Sequence, residues 1–520
     1  MMPWAAGSPC VCSKVGVVGF FSPGYIRAMK HLAALMLAFA TFAAQAAGPA
    51  WPGAQWDTAT PEAEGMDSSR VREIVDFGAL NRIDAVVLVR HGRLVAEAYY
   101  APFRAGMKHR INSTTKAVTV ALTGIAQSQG LLPGFDAPAL ALLGLPPAAD
   151  ARKNAITLQH LADLSAGIAW EEALTGGEPV SLLAMQRAPD WKAYVLEQPM
   201  ARAPGEAFSY NSGATHLLSV VLARATNSNT RDYAARELFA PLGITDWRWR
   251  SDPQGIAAGG WGLYLQPRDM ARIGYLFLRG GEWNGRQLVP RAVVDHAFKP
   301  VLPMNLFPGT DWRYANGWWA LPQRDAYIAM GYMRQMILVM PKHDLVAVTV
   351  SRSMFSVEQL LDRIDAAVKS AEALPPDAAS QASLAQRIAA MAREETRAEP
   401  VPPLAAAISG RTWKFDANPL RLRELVLRLG DAPGYEASRT GASGNEIRER
   451  GAFGRDGGFG GDEDRVARYR WRDERTLALE VREPGEALAM DYLLRFDGDR
   501  VDVEYANNYG MKARFSGRAR

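Results

Sequence analysis

The sequence predicts an α+β protein, in which an antiparallel sheet flanked by helices and a helical region precede a separate C-terminal antiparallel β domain. Two hairpin patterns, in residues 85–100 and 336–350, enclose a long and mostly helical stretch. From about residue 404 the pattern changes to short alternating strands separated by turns. The first region has strands at both ends and helices between them, whereas the second has strands alone. This difference is typical of two regions with different architectures.

Hairpins and helices define the first domain. The first hairpin, residues 85–100, turns at His91-Gly92. The second hairpin is apolar on both faces of its strands, which predicts a buried position in the sheet. Residues 356–373 follow with the apolar spacing of an amphipathic helix. We therefore expect the first domain at residues 47–374.

The C-terminal third of the chain has a different pattern. Residues 375–403 are rich in Ala, Glu and Pro, and are predicted to be a linker with a short helix. Residues 404–520 are predicted to form a β domain, either a sandwich or a small barrel. The glycine-rich residues 451–461 lack the strand-to-helix context of a phosphate-binding loop, so a flexible loop is expected there. The clearest strand patterns are residues 424–429, 476–481, 492–496 and 501–505.

The N-terminal residues 1–46 have the pattern of an export signal with an upstream extension. A basic start at Met29 precedes an apolar run over residues 32–44, and Ala-Gln-Ala at residues 44–46 suits cleavage. The run is too short for a permanent membrane span, although an uncleaved anchor is the alternative. We expect export to the bacterial periplasm, with Met29 as the true initiator and residues 1–28 as a start-site artefact.

Composition excludes several classes of function. The net charge is +4 over 520 residues, without a dense basic stripe, so no binding to nucleic acid is expected. The two cysteines, Cys10 and Cys12, lie ahead of the predicted signal, so the mature protein should have neither a disulfide nor a thiolate ligand. The seven histidines show no metal-ligand spacing, and His216 is expected to be structural. We therefore expect no metal, no cofactor and no stable membrane span; oligomeric state is left open.

Ser113 is the strongest candidate for a nucleophile. It is the only serine with a lysine three places on, and Lys116 begins an apolar helical pattern. On a helix the two side chains would lie on one face, about a turn apart. A serine hydroxyl needs a base to take its proton, and a buried amine with a lowered pKa can supply one. The pattern predicts an acylating serine that needs no histidine.

Two further segments could complete such a site. Tyr210, followed by Asn211-Ser212, lies just before an apolar helix, where its phenol could pass a proton to a leaving group. A neighbouring lysine ammonium should make that phenol easier to ionise. Gly331-Tyr332 leads into the second hairpin, and a backbone N–H there could point at a developing oxyanion. The alternatives are a buried aromatic residue and an ordinary strand-entry glycine.

Together these segments resemble the serine β-lactamases and penicillin-recognising hydrolases, over roughly residues 60–370 and in the family order. The nearest resemblance is to class C-type serine hydrolases, including family VIII esterases and 6-aminohexanoate-dimer hydrolases. The resemblance implies a β-lactamase/transpeptidase-like fold. Beyond Ser113-x-x-Lys116 and Tyr210-Asn211-Ser212, it is carried by residues 156–167, 238–244 and 262–272.

The resemblance also implies roles for individual residues. Ser113 would be acylated, Lys116 would be the base, and Tyr210 would relay the proton to the leaving group and activate water. The backbone N–H groups of Ser113 and Tyr332 would form the oxyanion hole. Ser212 would stand where many relatives place an asparagine, and would contact the substrate.

The third family motif departs from the pattern. Relatives that bind β-lactams carry Lys or His, then Thr or Ser, then Gly, whereas this chain has Ala329-Met330-Gly331. Without the cation and the hydroxyl, a β-lactam carboxylate should bind more than about tenfold more weakly. Arg334 follows closely, and we hypothesise that it restores a carboxylate anchor; an outward-facing arginine is the alternative.

Aromatic residues are candidates for the walls of the pocket. Trp170 follows Ser165-Ala166-Gly167, one of the stretches similar to the family, and is expected at the substrate site. Trp318 and Trp319 are further candidates, with at least one of the pair expected in the core.

Three functions fit these residues. The leading prediction is an exported serine hydrolase that cleaves a small ester or amide. The first alternative is a D-amino-acid peptidase or carboxypeptidase, or a weak class C-type β-lactamase. The second alternative is a non-catalytic sensor or binding module that uses the cleft without turnover. The expected partner in each case is a small-molecule ester, amide or peptide.

Overall fold

The computed structural model describes residues 50–174, 178–300, 302, 304, 311–394, 396, 400–441 and 443–520. The predicted upstream extension and signal peptide, with Cys10 and Cys12, lie outside the described residues. Within the described ranges, no helix combines the length and hydropathy that a bilayer-crossing segment needs.

The strands of the first region include both predicted hairpins. In chain order they are β1 (Ile83–Arg90), β2 (Arg93–Tyr99), β3 (His109–Arg110), β4 (Arg248–Trp249), β5 (Leu263–Leu265), β6 (Glu282–Trp283), β7 (Arg286–Gln287), β8 (Arg313–Ala315), β9 (Trp318–Leu321), β10 (Ala326–Gly331), β11 (Gln335–Met340) and β12 (Leu345–Ser351).

The main sheet joins the two hairpins edge to edge. Its antiparallel order within the described residues is β2-β1-β12-β11-β10-β9-β8. Val87 of β1 lies opposite Val348 of β12, so strands from the two ends of the first region are neighbours. Every residue of β1, β11 and β12 is buried. These strands are apolar on both faces because neither face is left to water.

Helices surround this sheet and fill the space between its two hairpins. They are α1 (Ser68–Leu80), α2 (Thr115–Ser128), α3 (Ala139–Leu142), α4 (Ala151–Asn154), α5 (Leu158–Ala162), α6 (Val180–Arg187), α7 (Trp191–Glu197), α8 (Ser212–Ala225), α9 (Thr230–Ala234), α10 (Ala240–Leu242), α11 (Pro267–Leu278), α12 (Arg291–Phe298), α13 (Val357–Ala367), α14 (Ala378–Met391) and α15 (Leu404–Ile408).

Close packing holds the helices on the sheet. Helix α11 packs on β11 and β12, while α1 packs on β1 and against α13. A methyl group at Gly274 of α11 would lie 2.6 Å from Val346 and 2.7 Å from Ile337, so helix and sheet approach closely at this glycine. Helices α2 and α8 pack side by side in the helical region, and both begin at the candidate active site.

The segment predicted as a linker contains a helix that belongs to the first hydrophobic core. Helix α14 packs on α1 and β2, and its Leu384 is buried in the same cluster as the residues of the main sheet. Arg387 forms an ion pair with Asp76 of α1, at 2.5 Å between Nε and Oδ1. Half of the Ala-rich segment is therefore attached to the first region.

The C-terminal sheet has its own hydrophobic core, built around Trp413, Leu427, Leu477 and Phe496. It is a single antiparallel sheet, so the barrel-like alternative is confirmed and the sandwich is wrong. Its strands are β13 (Thr412–Phe415), β14 (Leu422–Arg428), β15 (Gly434–Thr440), β16 (Glu446–Ala452), β17 (Gly460–Gly461), β18 (Val466–Trp471), β19 (Thr476–Glu483), β20 (Leu488–Asp497), β21 (Arg500–Asn507) and β22 (Lys512–Ala519).

The order of this sheet explains its nearly barrel-like shape. Over the described residues the order is β16-β15-β14-β13-β22-β21-β20-β19-β18-β17. A bridge between Phe453, just after β16, and Ala467 of β18 brings the two ends of the sheet together. The glycine-rich residues 451–461, expected to be a flexible loop, form part of β16, a 3₁₀ turn at Arg455–Gly457 and β17. The predicted fold class, with a separate C-terminal antiparallel sheet, is confirmed.

Gly317→Ala should destabilise the protein, because the turn between β8 and β9 packs directly on the first turn of α2. Gly317 has φ +84°, and a Cβ there would lie 2.6 Å from the backbone N of Ala117. Strain from the left-handed conformation costs roughly 1–2 kcal/mol, and overpacking adds about 1–3 kcal/mol. Urea denaturation should therefore show a loss of at least about 2 kcal/mol in the free energy of unfolding.

Gly285→Ala is the matched control. Gly285 has φ +76°, and a Cβ there would meet nothing within 4 Å. It carries the conformational strain without the steric clash, so its loss should be about 1 kcal/mol. Equal losses in the two variants would show that Gly317 does not pack on α2 as described.

Candidate active site

Ser113 and Lys116 lie where one helical segment continues into another. The chain leaves β3, forms a 3₁₀ turn at Asn112–Thr114 and enters α2 directly. This path places the Lys116 amine 3.2 Å from the Ser113 hydroxyl, to which it donates. Ser113 is partly exposed, whereas Lys116 is only 1% exposed. The hydroxyl is therefore open to a ligand while the amine is shielded from water.

The Lys116 amine has three hydrogen-bond neighbours. Besides Ser113, it donates to the Ser212 hydroxyl at 2.8 Å and to the Gly260 carbonyl at 2.9 Å. Burial lowers the pKa of Lys116 to about 8, although the charge of Glu172 acts in the opposite direction. A neutral amine keeps two N–H donors and one lone pair. When the amine is neutral, Ser212 and Gly260 can accept from its two N–H groups, and its lone pair can accept the Ser113 proton in place of the hydrogen bond that the amine donates there.

Asn112, immediately before Ser113, ties the site to the end of β10. Its φ of 50° is left-handed, a conformation that asparagine adopts more readily than most residues. Its side-chain amide donates to the Tyr332 carbonyl at 3.0 Å, and its own carbonyl accepts from the Thr115 hydroxyl at 2.6 Å. Asn112 therefore links the turn that carries Ser113 to the end of β10, and this link helps to hold Ser113 in position.

Gly331 allows the end of β10 to approach Ser113. A Cβ on Gly331 would lie 2.3 Å from the Ile111 carbonyl and 3.0 Å from the Ser113 nitrogen. Any larger residue would push the strand away from the serine. This close approach brings the backbone of Tyr332, the next residue, beside that of Ser113, which is the arrangement that a two-donor oxyanion hole needs.

Tyr210 is buried beside the amine. Its ring stacks on Trp319 with centroids 6.0 Å apart, and the Lys116 Nζ lies 4.8 Å from the centre of the Tyr210 ring. Burial raises the pKa of Tyr210, the Glu172 charge raises it further, and hydrogen bonding with Ser113 acts in the opposite direction. The expectation that this phenol ionises more easily is therefore wrong, because burial is the largest cause and raises the pKa. Tyr210 is present as a neutral phenol.

Glu172 is a site residue that the sequence did not reveal. Its carboxylate accepts from the Ser212 hydroxyl at 2.6 Å, from the Ser212 backbone N–H at 2.9 Å and from the Trp170 indole at 2.7 Å. A chain of hydrogen bonds thus runs from Glu172 through Ser212 to Lys116 and Ser113. The only signal was the pair Glu171-Glu172 after Trp170, and the pattern does not say which acid faces inward.

The cleft in front of Ser113 has a volume of about 550 Å³. Of the predicted site residues, Ser113, Tyr210, Ser212, Gly331, Tyr332 and Arg334 line it, and Lys116 lies behind Ser113. Trp170 contacts Glu172 and is not among the side chains that line the cleft in the described residues. The apolar part of the lining is Ala173, Leu174, Pro179, Leu182, Leu183, Trp261, Trp319, Met330 and Met354.

Strand β10, which carries the third motif, shows which residues stand in place of the family's cation and hydroxyl. Ala329 is fully buried, while Met330 lines the cleft. Arg334 lines the same cleft, donating from Nε to the Phe355 carbonyl at 2.9 Å and from Nη1 to the Met330 sulfur at 3.1 Å. Of the tryptophan pair, Trp318 lies in the core and Trp319 lines the cleft.

His216 is buried away from Ser113 and faces Asp252, with 3.2 Å between Nε2 and Oδ2. Its position on α8 is structural. Among the residues that the structure describes, no three His, Cys, Asp or Glu side chains are grouped as metal ligands would be.

A family model described as Beta-lactamase matches residues 79–372, which include every residue of the Ser113 site described above. The match spans 294 of the 520 residues, more than half of the chain. The chain belongs to the beta-lactamase family. In this beta-lactamase-family protein, the Ser-x-x-Lys pair, the tyrosine and the strand-end glycine predicted from the sequence lie around one cleft.

Several solved structures are similar to this chain. A family VIII carboxylesterase is 16% identical, covering 60% of this chain and 98% of its own, with a TM-score of 0.48. A penicillin-binding protein from Bacillus halodurans is 17% identical, covering 57% and 99%, with a TM-score of 0.47. An octameric penicillin-binding protein homologue from Pyrococcus abyssi is 14% identical, covering 86% and 99%, with a TM-score of 0.47. At these identities the likeness concerns the fold alone.

Glu172→Gln should move the titration of Lys116 towards lower pH. The Glu172 charge raises the pKa of Lys116, so its removal favours the neutral amine. In the wild type, the rate at which a fluorophosphonate labels Ser113 should rise with pH through about 8, because only neutral Lys116 can accept the proton. In the variant the midpoint of this rise should lie below that of the wild type.

Glu178→Gln is the matched control, since Glu178 lines the same cleft and is not among the causes of the Lys116 pKa shift. Its labelling midpoint should stay at the wild-type pH. The coupling of Glu172 to Lys116 would be disproved by equal midpoints in all three proteins.

Proposed function

We propose that this protein is an exported serine hydrolase that cleaves a small ester or amide through an acyl-enzyme on Ser113. One observation carries the proposal: a buried lysine amine with a pKa of about 8 lies 3.2 Å from a partly exposed serine hydroxyl. Such an amine is neutral enough near neutral pH to accept the serine proton. Export rests on the sequence pattern of residues 29–46.

In the acylation step, the Ser113 oxygen attacks the substrate carbonyl while its proton moves to Lys116. The N–H groups of Ser113 and Tyr332 stabilise the resulting oxyanion. Tyr210, as a neutral phenol, donates its proton to the leaving group and regains one from Lys116, so both residues return to their starting states. The leaving alcohol or amine departs as the acyl-enzyme forms.

Deacylation reverses the roles of the same groups. Water attacks the acyl carbonyl, and its proton passes through Tyr210 and Lys116 back to the Ser113 oxygen as the ester bond breaks. The product acid leaves and free Ser113 is restored. Ser113 is the group that both others contact, since the Lys116 amine lies 3.2 Å from its hydroxyl and the Tyr210 side chain hydrogen-bonds with it.

The cleft favours simple esters and amides over β-lactams. Met330 and Ala329 stand where a hydroxyl and a cation would hold the β-lactam carboxylate, and neither can do so. Arg334 supports a second candidate, a carboxypeptidase or D-amino-acid peptidase. Its guanidinium lines the cleft, where it could bind a substrate carboxylate.

Ser113→Ala should abolish both labelling and turnover. Removing the nucleophile should lower kcat for 4-nitrophenyl esters by at least about a thousandfold. Ser383→Ala, on α14 and not among the residues that line the cleft, is the control and should match the wild type. Substrate binding by the wild type without turnover or labelling by any acyl probe would support the non-catalytic alternative instead.

Arg334→Ala tests the carboxylate anchor. With amide substrates that differ only in a terminal carboxylate or carboxamide, the variant should lose at least about tenfold in kcat/KM for the carboxylate relative to the carboxamide. Arg231→Ala, an exposed arginine on α9, controls for loss of positive charge. An unchanged ratio in Arg334→Ala would exclude the anchor and, with it, the reason for preferring a peptidase as second candidate.

A further inference from the structure

Large apolar side chains are exposed at the mouth of the cleft. Tyr332 is 46% exposed, Met354 41% and Tyr509 37%, and all three line the cleft that holds Ser113. Exposed apolar residues that occur singly need no explanation, whereas a cluster at a concave site marks a binding surface. We call these three residues the mouth cluster.

The mouth cluster combines residues from both regions of the chain. Tyr332 and Met354 belong to the first region, but Tyr509 lies in the turn between β21 and β22 of the C-terminal sheet. The rings of Tyr332 and Tyr509 stack with centroids 5.8 Å apart and an angle of 23°. The C-terminal sheet therefore supplies a wall of the cleft next to the residue whose N–H we assign to the oxyanion hole.

Hydrogen bonds hold the turn that carries Tyr509. The side-chain oxygen of Asn507 accepts from the backbone N–H groups of Tyr509 and Met511, both at 3.0 Å. The side-chain amide of Asn508 donates to the Arg352 carbonyl at 3.0 Å, which ties the turn to the main sheet. The Tyr509 hydroxyl donates to the Glu486 carbonyl at 3.1 Å. Tyr509 is thus held in place rather than left as a mobile loop tip.

Glu486 docks the C-terminal sheet onto the strands beside Ser113. Its carboxylate forms ion pairs with Arg110 and Arg250, each at 2.9 Å, and accepts from the Tyr264 hydroxyl at 2.5 Å. Arg110 lies three residues before Ser113 in the chain. The Glu486 carboxylate is 21% exposed and the Arg110 side chain 22%, so this pair is partly shielded from water and helps to hold Tyr509 near the serine.

We propose that the mouth cluster is a substrate subsite, completed by the C-terminal sheet, for an aromatic group of the ester or amide. The nearly parallel Tyr332 and Tyr509 rings present flat apolar surface, and Met354 supplies a polarizable side chain that adapts to an aromatic ring. The polar end of Tyr509 is already hydrogen-bonded, so its ring is the part that a ligand would contact. This inference rests on the proposed function, since it names the substrate class of the same site.

Tyr509→Ala removes the ring that the C-terminal sheet supplies. Three esters test it by pH-stat: ethyl acetate has no aromatic ring, benzyl acetate carries one on the leaving group and ethyl phenylacetate carries one on the acyl group. For at least one aromatic ester, kcat/KM relative to ethyl acetate should fall at least about fivefold, mainly through KM. Tyr509→Phe keeps the ring and should keep the wild-type ratio. Unchanged ratios for both aromatic esters in Tyr509→Ala would overturn the proposal.

Leu493→Ala controls for general effects on the C-terminal sheet, because Leu493 is 40% exposed and does not line the cleft. It should show the wild-type ratios. Tyr509→Ala could lower the melting temperature more than Leu493→Ala does. The kcat/KM ratios of Tyr509→Ala and Tyr509→Phe are then compared at a temperature where all three variants are folded, so that the difference reports the loss of the ring. A shifted ratio in Leu493→Ala would count against the subsite.

Binding to the Ser113→Ala protein separates this proposal from the proposed function. Benzyl acetate should quench the tryptophan emission of this protein, since Trp261 and Trp319 line the cleft, and adding Tyr509→Ala should raise its Kd at least about fivefold. Tyr509-dependent binding without hydrolysis by the wild type would refute the hydrolase and keep the subsite. Hydrolysis without any dependence of Kd or kcat/KM on Tyr509 would keep the hydrolase and refute the subsite.

Discussion

The burial of one amine governs the rest of this site. Lys116 loses its hydration on folding, so its charged form is disfavoured and its pKa falls to about 8. Ser212 and Gly260 can accept from the two N–H groups of the neutral amine, and Ser113 is its third hydrogen-bond neighbour. A more exposed lysine at the same distance would keep a higher pKa, so a smaller fraction of it would be neutral and able to accept a proton at neutral pH.

Three separate elements must meet for that burial to occur. The first turn of α2 carries Lys116, the N-terminus of α8 carries Ser212, and the segment before β5 supplies the Gly260 carbonyl. Glycines make this convergence possible, because Gly317 and Gly331 bring β8–β9 and β10 into direct contact with the start of α2. The C-terminal sheet adds a further wall through Tyr509, held by the pairing of Glu486 with Arg110 and Arg250. The Ser113 cleft is thus built by residues from both described regions of the chain.

Local patterns predicted more of this protein than long-range ones did. Ser113 and Lys116 are three residues apart, so the helical repeat alone brings them together. Both hairpins of the first region were visible because their strands are apolar and bounded by turns. The direction in which the pKa of Tyr210 is shifted was predicted wrongly. The shift depends on burial against residues that are distant in the sequence, such as Trp319. Glu172 and Tyr509 were missed because only folding brings them to the cleft.

The sequence by itself determined the chemistry: a serine with a lysine one turn away, a tyrosine, a strand-end glycine and the resemblance that joined them into one family. It also determined that a cation and a hydroxyl are absent at Ala329 and Met330. Only the tertiary structure decided which groups are charged and what shapes the cleft. The physical reason is that pKa values and cleft walls depend on burial and on contacts between residues far apart in the chain, which no local pattern encodes.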